Sequence, residues 1–206
     1  MEFKEIEERI LQTAEELFFR VGFTKTTAED IARESSVSKR TLYKYYRSKR
    51  HILQAIINKN AQELSSELYK IINSDSNFPD KLHTALTVTT KVLSKISRQF
   101  IDDIQRNVPE VWQQLSNYRR DMVNTVFVSL MDEGIKAGYV KKKINRGIAV
   151  MVMLSVMDNL INTSIDKLVP SELSGNIPKN IDYIFDEIIN IIYNGILNNP
   201  TILNKQ

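Results

Sequence analysis

Apolar residues recur at every third or fourth position along most of the chain. In the first segment the repeating apolar positions are Phe3, Ile6, Ile10, Ala14, Leu17, Phe18 and Val21. This spacing places them on one face of an amphipathic helix, and Gly22 follows where a left-handed C-cap is expected. Because the same helical period continues almost throughout, the sequence predicts an all-α fold.

Capping signals predict two short helices after the first one. Thr27 is a good N-cap, and Asp30 three residues later has capping-box spacing for a helix that ends near Glu34. The pair Ser35–Ser36 marks a turn, and the stretch SKRTLYKYY predicts a second short helix opening near Ser38. Two short helices joined by a tight turn have the layout of a helix-turn-helix, here at about residues 27–46.

Longer helices are predicted in the rest of the chain. A fourth helix begins after Ser48, and the polar stretch NSDSNFPD then interrupts the pattern. Further helical patterns cover residues 79–97, 109–137, 146–168 and 178–197, and Gly138 closes the second of these. We therefore expect a small N-terminal domain over residues 1–47 and a larger helical domain over 48–206, in which residues 48–72 form a connecting helix.

Composition and charge narrow the class of protein. The chain has 28 Lys and Arg against 25 Asp and Glu, and 42% of its residues are hydrophobic, which is typical of a soluble globular protein. The absence of Cys excludes disulfides, thiolate zinc sites and Cys nucleophiles. The start MEFKEIEERILQ is unlike a secretion signal, and the longest apolar run, Ile148–Met157, is well short of the ~18 residues of a membrane span. We expect a soluble, cytoplasmic protein.

One segment departs from this mixed charge. Ser35–His51 holds six Lys or Arg, three Tyr and no acid, and the next acidic residue after Glu34 is Glu63. A protein that binds polyphosphate gains from each cation and loses from each nearby carboxylate. Several of these cations also begin the fourth helix, where the helix dipole disfavours them and a bound phosphate would supply the missing anion. A solvated basic face is the alternative.

Within the helix-turn-helix layout, the second helix is the one that enters the DNA major groove. Here that helix is Ser38–Tyr46, inside the acid-free segment. The side chains of Lys39 and Arg40 suit the O6 and N7 atoms of guanine.

These residues carry a family resemblance. The run Gly22–Leu53 resembles the DNA-binding domain of the TetR (tetracycline-repressor) family. The resemblance covers about the first quarter of the chain. The matching residues are Gly22, Phe23, Thr27, Ile31, Ala32, Val37, Ser38, Thr41, Leu42, Tyr43, Tyr46 and Lys49.

The resemblance implies a dimeric transcriptional repressor that a ligand releases from DNA. It implies that Thr27, Tyr43 and Lys49 bind phosphate, that Ser38 to Thr41 face the groove, and that Ile31, Ala32, Val37, Leu42 and Tyr46 form the domain core. Arg40 replaces a small residue common in the family, and Arg50 replaces a frequent acid, which should strengthen phosphate attraction. The predicted DNA contacts are Thr27, Ser38, Lys39, Arg40, Thr41, Tyr43, Lys44, Tyr45 and Lys49.

The C-terminal half offers candidates for an apolar ligand pocket, because aromatic residues with Met can line an adaptable cavity. The candidates are Phe100, Ile104, Trp112, Leu115, Tyr118, Met122, Phe127, Met153 and Met157. The alternative is plain core packing, and the family resemblance is the main reason to prefer a pocket. Polar candidates in the same region are Gln105, Arg119, Asn124 and Asp158.

The last helices predict a dimer interface. One face of the final helix carries Ile181, Ile184, Phe185, Ile188, Ile192 and Ile196. Two such helices from each subunit would close a four-helix bundle around a two-fold axis, although packing within a monomer is an alternative.

Catalysis is not expected. The chain lacks a Gly-rich phosphate loop and the HExxH and GxSxG patterns, and we predict no cofactor and no metal. The adjacent pair Asp102–Asp103 diverges on a helix and is better explained as solvated than as a carboxylate site.

Taken together, the sequence predicts a homodimeric, sequence-specific repressor that binds a palindromic operator in double-stranded DNA. A small apolar or aromatic inducer is expected to release it. The alternative is a constitutive or partner-controlled DNA-binding protein without such an inducer. An enzyme with an appended DNA-binding head is a third interpretation, but the sequence offers no catalytic constellation for it.

Overall fold

The computed structural model confirms the predicted all-α fold, and no β-strand occurs in the part of the chain that it describes. The described residues are 2–93, 95–162, 168–175, 177, 183–184, 187–188 and 190–191. Their helices are α1 (Glu2–Val21), α2 (Ala28–Glu34), α3 (Lys39–Tyr45), α4 (Lys49–Ile72), α5 (Phe78–Leu93), α6 (Arg98–Asn107), α7 (Pro109–Met122), α8 (Val128–Lys136), α9 (Arg146–Asn162) and α10 (Ser171–Ser174).

Helix ends follow the local signals in the sequence. Gly22 and Gly138 close α1 and α8 with positive φ angles of 101° and 84°, as expected for left-handed C-caps. The predicted helix over 109–137 is continuous in its path but contains a π-helical turn, Val123–Phe127. Helix α6 is an addition that the sequence did not predict, because its ten residues are mostly polar.

The chain forms two compact units, and the first comprises Met1–Glu63 together with Lys95–Asn117. It therefore extends beyond the predicted 1–47 domain, because α6 and the start of α7 complete its core. Phe100, Ile104 and Val111 are buried in the same cluster as α1 to α4. The rings of Phe19 and Phe100 meet edge to face, with centroids 5.0 Å apart.

The second unit comprises Leu64–Ser94 and Tyr118–Gln206. Its core forms where α5 packs on α8, and Gly134 allows a close approach there. A Cβ atom at Gly134 would lie 2.7 Å from the Phe78 ring and 2.6 Å from Val140. The buried Lys81 side chain lies beside this contact, where its Nζ donates to Glu133 Oε2 at 2.9 Å and to the Ile72 carbonyl at 3.1 Å. Contacts between residues more than 50 positions apart therefore hold the core of this unit together.

Candidate nucleic-acid interface

The first helix of the helix-turn-helix begins with a complete capping box. The Thr27 side chain accepts from the Asp30 amide at 3.1 Å, and the Thr27 amide donates to the Asp30 carboxylate at 3.0 Å. The Asp30 carboxylate accepts a bond from the Thr27 hydroxyl, another from the Thr27 amide and a third from Arg33, and these bonds lower the pKa of Asp30 to about 2. Because the Thr27 hydroxyl also donates to Asp30, the residue that the family resemblance assigns to phosphate has a structural role as well.

The turn between the two helices is a Schellman motif. The Val37 amide donates to the Ala32 carbonyl at 2.9 Å and the Ser36 amide to the Arg33 carbonyl at 3.1 Å. Ser36 takes the left-handed position with φ 54°, although it is not a glycine. Ser35 is fully buried, and its hydroxyl donates to the Ile31 carbonyl at 2.6 Å.

Helix α1 holds this turn in place. The Nε atom of Arg9 donates to the Ser35 carbonyl at 2.9 Å. The Tyr46 hydroxyl at the end of α3 donates to Glu7 at 3.2 Å, and burial together with this carboxylate raises the pKa of Tyr46. Tyr45 stacks on Phe3 with ring centroids 4.3 Å apart. The turn and the C-terminal end of α3 are therefore both fixed to the same helix.

Helix α3 separates its buried and exposed residues clearly. Ser38 caps it by accepting from the Thr41 amide at 2.9 Å. Leu42 is completely buried and Tyr46 nearly so, in agreement with their predicted place in the core. The exposed face carries the predicted contacts Lys39, Arg40, Tyr43 and Lys44. Thr41, Tyr45 and Lys49 are half-buried, whereas Thr27 and Ser38 are exposed.

The cations of the basic segment differ in their surroundings. Arg50 lies 2.5 Å from Glu110 on α7, and Lys39 forms an ion pair with Glu29 on α2. Glu110 thus competes with phosphate for Arg50, and the expected phosphate attraction of Arg50 stays a prediction. Within the described residues, the side chains of Arg40, Lys44 and Arg47 take part in no ion pair or hydrogen bond. The folded chain therefore brings acidic residues from α2 and α7 next to the segment that has none in its own sequence.

Lys49 has a structural role that the sequence does not indicate. Its ammonium group donates to the carbonyls of Phe23 at 2.7 Å, Thr24 at 3.3 Å and Thr26 at 2.7 Å. It also lies 4.4 Å from the centre of the Phe23 ring. Burial lowers the pKa of Lys49, with the charge of Asp103 opposing the shift. Because all three N–H groups have acceptors, phosphate contact by Lys49 stays a prediction and competes with this role.

Asp103 on α6 binds the same loop from its other side. Its carboxylate accepts from the Thr24 amide at 2.8 Å and also from the Thr24 hydroxyl. Burial alone would raise the pKa of Asp103, but the bonds from Thr24 and Asn107 outweigh it and hold the pKa below its usual range. A Cβ atom at Gly22 would lie 3.1 Å from this carboxylate.

The expectation that Asp102 and Asp103 form a solvated pair is therefore wrong for Asp103. The two carboxylates do diverge, and Asp102 pairs with Arg98 on its own helix at 2.8 Å. Asp103 instead joins the α1–α2 loop, 79 residues away in the sequence. No local signal indicates such a contact, and the same holds for Glu110, which lies in a different part of the chain from Arg50.

The predicted ligand pocket divides between the two units. Phe100 and Ile104 are buried in the core of the first unit, and Trp112 and Leu115 pack against it. Phe127 and Met153 are buried in the second unit, where Met122 packs against its core and Tyr118 bonds with Ser65. The described structure does not bring the whole set into one cluster, because α6 and the start of α7 belong to the first core. The Met157 side chain lies outside the described residues.

The polar pocket candidates and the dimer residues are placed only in part. Arg119 pairs with Asp158 between α7 and α9. Ile184 is buried and Ile188 half-buried. The other predicted interface residues lie outside the described ranges, namely Ile181, Phe185, Ile192 and Ile196.

The described part of the chain contains neither a metal site nor a membrane-crossing helix. Among the described residues, no three His, Asp or Glu side chains form a group that could hold a metal ion. None of the helices in the described ranges is long and apolar enough to cross a membrane.

Comparison with known proteins connects this geometry to a family. Residues 10–56 match the sequence model of the bacterial regulatory proteins of the tetR family. The uncharacterized HTH-type transcriptional regulator YfiR of Bacillus subtilis (strain 168) is 28% identical over 135 residues, which cover 63% of this chain and 65% of that relative. The match therefore spans just under two thirds of the relative's own length.

Solved structures of similar fold extend over most of the chain. The SmeT–triclosan complex has a TM-score of 0.69 at 16% identity and covers 98% of each chain. The transcriptional regulator FadR from Bacillus subtilis, in complex with stearoyl-CoA, has a TM-score of 0.67 at 15% identity, covering 92% of this chain and 99% of that one. At such identities the likeness shows the fold alone. The match to the tetR family of bacterial regulatory proteins is confined to residues 10–56, which include α2 and α3.

Proposed function

We propose that this protein is a homodimeric, sequence-specific transcriptional repressor that a small apolar or aromatic molecule releases from a palindromic operator. The observation that carries the proposal is the exposed face of α3. That face presents Lys39, Arg40, Tyr43 and Lys44 to solvent, while Leu42 and Tyr46 anchor the helix from behind. An exposed helix of this charge, held after a tight turn, fits the major groove of DNA.

Dimer formation is supported by an apolar face on α9. Ile148, Met151 and Val152 lie within four residues of each other along this helix and are 55%, 59% and 41% exposed. Contiguous exposed apolar side chains are unfavourable in water and are typical of interaction surfaces. A second copy of the chain, related by a two-fold axis, would cover this face and hold two α3 helices at a fixed spacing.

Release by a ligand is supported by the second unit. The π-helical turn Val123–Phe127 follows Met122, and such turns are frequent at functional sites. Phe127 and Met153 are buried in the core of this unit, Met122 packs against it, and Tyr118 bonds with Ser65, so adaptable apolar and aromatic side chains surround this region. The solved structures of similar fold include complexes with stearoyl-CoA and with triclosan. Both molecules have large apolar parts, which supports an apolar or aromatic inducer here.

The proposal is tested by selecting bound duplexes from a random-sequence DNA pool and footprinting the result. We expect one inverted repeat with half-sites about 34–36 Å apart, or a multiple of that spacing. Arg40→Ala should weaken binding to the selected duplex by about 1–3 kcal/mol and relax preference at one base position. Arg106→Ala, which removes an exposed cation from α6, is the matched control. Failure to enrich any sequence would contradict the proposal.

The inducer is tested with the selected duplex. Apolar acyl and aromatic compounds are screened directly for release of DNA, and those that release it are then tested for a change in the fluorescence of Trp112, the only Trp in the chain. A ligand need favour the state that does not bind DNA by only a few kcal/mol. Sequence-specific binding that no compound weakens would favour the alternative, a constitutive or partner-controlled DNA-binding protein.

A further inference from the structure

The ion pair between Lys39 and Glu29 connects the exposed face of the proposed recognition helix to the helix before it. Lys39 is the first residue of α3, and Glu29 lies in the first turn of α2. Their charged atoms are in direct contact, although the two side chains remain 52% and 58% exposed. The bond raises the pKa of Lys39 and lowers that of Glu29, so both groups are charged at neutral pH.

From this contact we propose that Glu29 is a specificity-determining residue, which holds Lys39 in place and withholds it from the phosphates of random DNA. The inference rests on the proposed function, because it assumes that α3 reads base edges. It extends that function by assigning a role to an acid on α2 that itself needs no contact with DNA.

The physical reason lies in the donors of the ammonium group. Lys has three N–H donors, so Lys39 can keep its bond to Glu29 and still donate to guanine O6 or N7 at a cognate site. On random DNA the gain comes from phosphates, which supply nearly all of non-specific binding. A phosphate bound by Lys39 would bring the anionic backbone beside the Glu29 carboxylate, and the two negative charges repel each other, whereas a guanine edge carries no net charge. Glu29 therefore weakens the contact of Lys39 with a phosphate more than its contact with a guanine base.

The neighbouring cations do not share this restraint. Among the described residues, Arg40, Lys44 and Arg47 have no acidic partner that would hold them away from phosphates. Glu34, at the other end of α2, pairs instead with Arg20 at 3.2 Å, on α1. The acid that restrains a predicted base-reading side chain is therefore Glu29, and Glu34 offers a matched control on the same helix.

The test compares the wild type with Glu29→Gln and Glu34→Gln. Each is titrated with the duplex selected from the random pool and with a scrambled duplex of the same composition, across a salt series. Glu29→Gln should bind scrambled DNA about five- to tenfold more tightly and leave binding to the selected duplex unchanged or slightly weaker. The salt dependence on scrambled DNA should steepen by about 0.9 per head, as expected for one more phosphate contact. Thermal unfolding of each variant checks that the fold is intact.

Further measurements show whether the Lys39–Glu29 pair causes the change in the ratio of the two affinities. In a Lys39→Ala background, Glu29→Gln should no longer change the ratio of the two affinities, because the restrained cation is gone. If Glu34→Gln lowers the ratio as much as Glu29→Gln does, net charge rather than the pair is responsible and the inference is overturned. An unchanged ratio in Glu29→Gln also overturns it while leaving the proposed function intact. A wild type that binds neither duplex would overturn both.

Discussion

The helix-turn-helix segment and the described part of the second compact unit are both built from helices, but their structures are specified in different ways. In the segment from Thr27 to Tyr46, helix ends follow from neighbouring residues, through a capping box, a Schellman turn and a serine N-cap. In the second unit the decisive contacts join residues far apart in sequence, such as Lys81 with Glu133. The difference teaches that local signals set the ends of α2 and α3, whereas partners distant in sequence determine how the helices pack, including how α1 holds the turn and the end of α3.

The largest effect is expected where the second unit packs most closely. Gly134→Ala should gain up to about 1 kcal/mol in helix propensity, yet destabilise the protein by about 2–3 kcal/mol overall, since the new methyl group overlaps Phe78 and Val140. Urea unfolding measures the change. Gly147→Ala in α9 is the control, because among the described residues its Cβ would meet only Asn145, at an ordinary 3.4 Å. Equal effects at the two glycines would contradict close packing as the cause.

The next effect concerns a long-range contact inside the DNA-binding head. Lys49→Ala should lower the free energy of unfolding by about 2 kcal/mol, because it removes a charged donor from partly buried carbonyls. Lys44→Ala, an exposed position on α3, should change stability by less than about 0.5 kcal/mol. Denaturant unfolding of both variants separates the structural role of Lys49 from phosphate contact. A Lys49→Ala protein of unchanged stability but weaker DNA binding would restore the phosphate role.

A smaller effect is expected on the other side of the same loop. Asp103→Ala should cost about 1–1.5 kcal/mol by removing an ionised acceptor from the Thr24 amide and hydroxyl. Asp102→Ala removes an exposed pair with Arg98 and should cost less than about 0.5 kcal/mol. If urea unfolding showed that both variants lose the same free energy of unfolding, the structural role of Asp103 on the Thr24 loop would be contradicted.

The Asp103 contribution should depend on pH in a defined direction. Its pKa is lower in the folded protein than in the unfolded chain, so the stabilisation is fully present above the unfolded pKa of about 3.9. It should be lost as the pH falls below that value through the folded pKa. The difference in stability between wild type and Asp103→Ala, followed from pH 7 to pH 3, should therefore shrink towards the acid end.

The smallest effect tests a purely local rule. Ser36→Gly should stabilise the protein by about 0.5–1 kcal/mol, because glycine adopts the left-handed conformation without the strain of a side chain. Ser35→Gly should act in the opposite direction, since it removes the buried bond from the Ser35 hydroxyl to the Ile31 carbonyl. Thermal unfolding distinguishes the two signs. A destabilised Ser36→Gly protein would show that the turn depends on more than its backbone conformation.

The sequence by itself determined the elements whose causes are local. The period of apolar residues predicts α1, and the caps at Thr27, Ser38 and Gly22 mark helix ends where the structure has them. These features can be read from the chain because each depends on residues within one or two turns. The buried positions Ile31, Leu42 and Tyr46 follow from the resemblance of the same segment to a known family.

Only the tertiary structure decided which distant residues meet. Glu29 beside Lys39, Glu110 beside Arg50 and Asp103 on the Thr24 loop all alter the charge pattern that the sequence displays. Helix α6 belongs to the core of the first unit and not to the second unit, because its residues Phe100 and Ile104 are buried in that first core. Such contacts depend on the path of the whole backbone. Spacing along the chain carries no information about partners that only the packing of several helices brings together.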